Sequence, residues 1–126
     1  MRLCAALWLV LALGPAAAIA HHSFVVVYDV QRSLRVQATI AGFLYRNPHA
    51  VLQLDVREAN GSTERWTAEW GGLAQLKREG VTSSSLKAGD RVVVTGSPAR
   101  QPGLHLLRVQ AVHRPADGWT WRGITP

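Results

Sequence analysis

The chain has 126 residues, 48% of them apolar and 17% charged, which suits one small hydrophobic core and is too short for a large enzyme with separate cofactor and substrate domains. Fourteen Lys and Arg stand against eight Asp and Glu, a net charge of +6 that favours anionic partners. The basic residues are scattered with no Lys/Arg run, so a solvated basic surface is a plainer reading than a nucleic-acid stripe.

Arg2 gives a positive start, residues 3–13 are apolar, Gly14-Pro15 breaks the run, and Ala18-Ile19-Ala20 has the small-x-small form of a signal-peptidase site. Residues 1–20 therefore read as an export signal, because the break comes too early for a stable membrane span. Cleavage would remove Arg2 and the single cysteine, Cys4, leaving a net charge of +5 and a periplasmic or secreted domain without disulfides.

In residues 34–44, Leu34, Val36, Ala38, Ile40 and Leu44 form an apolar set, with Arg35, Gln37 and Thr39 on the opposite face. This is the period of two of a half-buried strand. Residues 49–58 repeat it, with Ala50, Leu52, Leu54 and Val56 inward. Asn60-Gly61-Ser62 is the clearest turn signal, and Trp66, Ala68 and Trp70 share one face of the strand that follows. For the two core faces to coincide, paired residue numbers must have an even sum, such as 56 with 66. That parity predicts a three-residue loop or a bulge.

Leu73, Leu76 and Lys77 have helical spacing, and Gly80 reads as the cap of a short helix over residues 73–79. A tight turn at residues 86–90 leads to a fourth strand, where the β-branched run Val92-Val93-Val94-Thr95 suggests burial on both sides. A fifth strand over residues 104–113 would turn Leu107, Val109 and Ala111 inward, with His105 and His113 on the same side at its ends. Residues 114–126 form a Trp-containing tail, expected either to add an edge strand or to lie loosely over the domain. Three strands, a helix and two strands predict an all-β domain over residues 21–113, an OB-like five-stranded Greek-key β-barrel. An SH3-like barrel and an open antiparallel sheet are the alternatives.

Cleavage after Ala20 would expose His21, whose α-amino and ring nitrogens could chelate copper(II) or another late divalent ion with His22 and His49. Two soluble, frayed histidines are the plainer alternative. Asn47-Pro48-His49 lies between strands one and two, either as a rigid ligand-contacting corner or as a local Asx turn. Arg35, Arg57 and Arg65 on the outer strand face could pair with an anion or stack on a flat ligand, whereas a mixed polar face is also ordinary strand surface. Glu69 lies between Trp66 and Trp70 in sequence and is the remaining ligand-binding candidate. Nucleophile elbows, zinc-protease motifs and phosphate-cradling loops do not occur, so the expectation is a binding module of unidentified ligand and no enzyme. Trp119 and Trp121 raise the alternative of an interaction subunit docking through its tail.

His21-His22-Ser23-Phe24, Asn47-Pro48-His49, Trp66 with Glu69-Trp70, and Leu86-Lys87-Ala88-Gly89-Asp90-Arg91-Val92 running through Val94-Thr95-Gly96-Ser97-Pro98-Ala99 together resemble the DUF6152 family of small exported bacterial proteins. The resemblance extends from about residue 21 to about residue 112, leaving the Trp-rich tail outside it. It implies a bacterial source, export and a small β-barrel, and no reaction. By motif position it also implies that His21, His22, Asn47, His49 and Glu69 belong to the family's polar pattern.

Overall fold

The computed structural model describes residues 23–123, so the expected leader over residues 1–20, together with His21 and His22, lies outside the described residues. The elements are α1 (Ser23–Val27), β1 (Leu34–Leu44), β2 (Val51–Arg57), β3 (Thr63–Glu69), α2 (Leu73–Arg78), β4 (Arg91–Pro98), β5 (Leu106–Arg114) and β6 (Trp119–Arg122). The strands lie in the order β3-β2-β1-β4-β5-β6, and a further parallel pairing of β3 with β5 closes the first five into a barrel. All the other pairings are antiparallel. β5 can serve three neighbours because β3 takes Leu106 to Arg108 and β6 takes Ala111 to Arg114.

Alternation in β2 delivers Leu52, Leu54 and Val56 to the core, as expected. Leu54 lies opposite Trp66 and Leu52 opposite Ala68, so the parity argument holds, although Val56 pairs with Glu64 and not with Trp66. The amide of Glu58 donates to the Ser62 carbonyl and that of Gly61 to the Glu58 carbonyl, leaving a three-residue tip at residues 59–61. α2 ends as its sequence suggests. Gly80 takes φ of +80°, its amide donates to Lys77, and Val81 donates to Leu76, a Schellman closure that turns the chain away. Leu76 is the buried residue of α2 and joins the core cluster.

Two irregularities overturn simple alternation. In β1 the register shifts between Ile40 and Gly42, so one extra residue reverses the parity. Leu44, expected inside, is 39% exposed, while Phe43 and Tyr45, which continued alternation with Arg35, Gln37 and Thr39 would turn outward, pack against the core. In β5 the register against β4 shifts between Thr95 and Gly96, where Ala111 and Val109 are the successive partners. Val112 is therefore buried in place of Ala111, and His113 turns away from the core to meet the Thr120 hydroxyl at 2.8 Å.

The Val92–Thr95 run is also not buried on both faces. Val92 and Val94 are buried, Val93 and Thr95 half-buried, and two-sided burial begins only at Gly96, beside the N-terminal segment. Of the two expectations for the tail, its described part takes the edge strand, β6. Val112 and Trp121 are partners in the β5–β6 ladder, Trp121 is buried, and its indole nitrogen donates to Glu79 Oε2 at 2.9 Å. Trp119 packs on the core beneath the Arg114 guanidinium. The buried Trp121 and the half-buried Trp119 help fix this four-residue strand.

Candidate ligand cleft

The segment before β1 lies against the barrel through main-chain bonds. Tyr28 bridges Ala99, Asp29 donates to the Pro98 carbonyl, and the Arg100 amide and Nε donate to the carbonyls of Val27 and Val25. Tyr28 is 1% exposed, and its hydroxyl donates to Glu69 Oε2 at 2.7 Å. Burial, followed by the Glu69 hydrogen bond and charge, pushes the Tyr28 phenol well above its ordinary value. Glu69 thus anchors the N-terminal segment.

Phe24 stands between two polar groups. Its ring meets His49 edge-on with centroids 4.8 Å apart, and the Arg108 guanidinium lies 4.1 Å from its centre. Arg108 Nη1 donates to the Trp70 carbonyl. Partial burial lowers the Arg108 pKa, opposed by the charge of Glu69, its register partner in β3. An arginine remains cationic under such a shift.

Beside this cluster opens a cleft of about 660 Å³. Phe24 supplies accessible ring surface with the buried Trp70 and Trp121 packed behind the wall, and Arg108, Gln110 and Arg122 supply polar edge. Gln110 is fixed from two sides, because its Nε2 donates to the buried Ser97 hydroxyl at 2.9 Å and its Oε1 accepts from Ser33. Trp70 and Trp121 meet edge-to-face, 4.9 Å between centroids, which holds that wall rigid.

The residues expected to act together are spread over three places. Asn47 and His49 flank one end of the barrel. Asn47 makes no Asx turn there, and its Oδ1 accepts instead from the Leu73 amide, serving the start of α2. His49 reaches the cleft only through Phe24. Glu69 lies in the Tyr28 cluster.

The three arginines of the outer strand face stay on the outer wall. Arg65 is held by Asp55 at 2.7 Å, Arg35 is exposed opposite Thr95, and Arg57 borders a second hollow of about 600 Å³ with Arg91. Among the described residues no three His, Cys, Asp or Glu gather where they could hold a metal ion, so the proposed chelate has no support beyond residues 21 and 22.

Sequence reasoning missed Phe24, Tyr28, Arg108, Gln110 and Arg122. Alternation does place Arg108 and Gln110 on the outer side of the fifth strand, but nothing local says that the N-terminal segment crosses over them.

The family model for a family of unknown function, DUF6152, matches residues 9–107, most of the length of the chain. The chain belongs to the DUF6152 family. Comparison with curated proteins and with solved structures returned no match. The stretch matching DUF6152 takes in α1, the Asn47-Pro48-His49 corner and β1 to β4, and ends just before Arg108. The charged edge of the cleft, Arg108 and Arg122, lies beyond that stretch.

Proposed function

We propose that this DUF6152 protein is a small β-barrel binding module, exported and non-enzymatic, which holds a small molecule in the cleft between α1, β5 and β6. The observation that carries the reading is the cleft itself, about 660 Å³ with an apolar lining that includes the Phe24 ring and a few fixed polar groups. That size and lining are those of small-molecule sites in general. The Asn47-Pro48-His49 corner contributes indirectly, since His49 supports Phe24, a wall of the cleft, and Asn47 steadies α2, which brings Gln75 to the rim.

The barrel order β1-β2-β3-β5-β4 with a helix between β3 and β4 supports relating it to the OB type, many of whose members bind ligands. A binding role also fits the local chemistry. The buried Ser97 hydroxyl accepts from the Gln110 amide, a donor that cannot act as a general base. Export rests on the apolar run of residues 3–13 and the Ala18-Ile19-Ala20 pattern.

Amide chemical shifts of the purified protein, followed while small aromatic fragments are added, test the site. Perturbations should gather at Gly71, Gln75, Gln110 and Gly123. A pattern centred on Thr39 and Arg91, or none at any fragment, overturns the assignment.

A further inference from the structure

Resting on the cleft reading above, we infer that the ligand is a small carboxylate with a flat apolar body, its charge received by Arg108 and Arg122.

Among the described residues Arg108 and Arg122 are the charged side chains that line the cleft, and no Asp or Glu joins them in the lining. Two carboxylates adjoin lining residues, Glu69 as the register partner of Arg108 and Glu79 through Trp121 and Gln75, and both already accept hydrogen bonds. Glu69 accepts from Tyr28, and the two oxygens of Glu79 accept from Trp121 Nε1 at 2.9 Å and Gln75 Nε2 at 3.2 Å. A molecule entering the cleft therefore meets guanidinium groups first.

Arg108 is the stronger contributor. It is held over Phe24 and tied by one of its five N–H groups to the Trp70 carbonyl, so its orientation is fixed before any ligand arrives. The remaining donors of a half-buried guanidinium gain most from an ionised acceptor, because charge-assisted bonds in low dielectric are about twice as strong as neutral ones. Arg122 is exposed on β6 and adds charge at the rim.

The rest of the lining decides the body of the ligand. Phe24 presents ring surface and Val30 and Ala111 add aliphatic surface, with the buried Trp70 and Trp121 packed behind them, which suits a planar apolar group, and about 660 Å³ admits one or two fused rings and no polymer. Fixed amide and hydroxyl groups at Gln110 and Ser97 add neutral polar contacts beside the two cations. A neutral molecule would leave the Arg108 donors unmatched, and a cationic one would face repulsion from both guanidinium groups.

The test compares 2-naphthoate with 2-naphthamide, nearly equal in shape and different in charge, by calorimetry on the purified protein with amide shifts to locate binding. Naphthoate should bind at least about tenfold more tightly. Arg122→Gln should weaken naphthoate about fivefold or more and leave naphthamide within about twofold, with the wild-type affinity for naphthoate falling as salt rises.

Equal affinities for acid and amide, both mapping to the cleft, would refute the anionic preference while sparing the cleft as a binding site. Binding of neither would overturn the cleft reading itself. Naphthoate perturbing the outer wall at Arg57 and Arg91 in place of the cleft also overturns the inference. Arg122 lies exposed on a surface strand, so its replacement leaves the core intact, and unchanged thermal unfolding of Arg122→Gln verifies this.

Discussion

Replacing Tyr28 by Phe removes one oxygen and keeps the ring, so it isolates the bond that pins the N-terminal segment to the barrel. The ring is buried, and the hydroxyl meets an ionised acceptor at 2.7 Å. A hydrogen bond to a charged group contributes about 1.5–3 kcal/mol, and Glu69 is only half-buried, so water recovers part of the loss. Tyr28→Phe should therefore cost about 1.5 kcal/mol, a fall of roughly 6–12 °C in Tm for a domain of this size.

Urea denaturation of the wild type, Tyr28→Phe, Glu69→Gln and the double variant gives the pair's own coupling, expected at about 1 kcal/mol. The difference between wild type and Tyr28→Phe also depends on pH with a defined sign. The phenol is raised in the folded protein above its ordinary value of about 10, so its contribution is complete below about pH 10 and declines as pH rises toward the higher folded value. The two stability curves should converge in strong alkali. A coupling under about 0.3 kcal/mol, or curves that stay parallel above pH 10, would refute the anchoring role of Glu69.

Trp121→Ala should destabilise by about 3–5 kcal/mol, because it empties a core position and leaves Glu79 without its indole donor; denaturation measures this, and an unchanged stability would return Trp121 to the surface. Gly96→Ala should cost about 1–3 kcal/mol or block folding, since a β-carbon there would collide with the Arg108 carbonyl, a backbone atom that cannot swing aside. Thermal unfolding within 2 °C of wild type would contradict it. Asn47→Ala should lower stability by about 1 kcal/mol through the lost cap on Leu73 and leave fragment affinity in the cleft within about twofold, whereas a large loss of affinity with unchanged stability would make Asn47 a ligand contact.

Much of the barrel was legible because strand burial is a local code. Leu52, Leu54 and Val56 face inward for the same reason that Gln53 and Asp55 do not, and Gly80 ends α2 by its own backbone freedom. The code failed at Phe43, Leu44, Val112 and His113. At each of them one residue inserted against a neighbouring strand reverses the face of everything beyond it, and the insertion depends on the neighbour's register.

The cleft was legible only in fragments. Glu69 and His49 stand out in the sequence, and in the fold they contact Tyr28 and Phe24, in a segment with no periodic pattern to read.

The amino-acid sequence alone thus determined the family, through motifs spread along the chain, and the strand content and inward face of each regular run, which follow from alternation and turn chemistry within ten residues or so. Tertiary structure alone decided the meeting of Phe24 with Arg108, of Tyr28 with Glu69 and of Glu79 with Trp121, pairs separated by 41 to 84 positions. Barrel closure brings such groups together, and no local propensity encodes which distant residue will arrive.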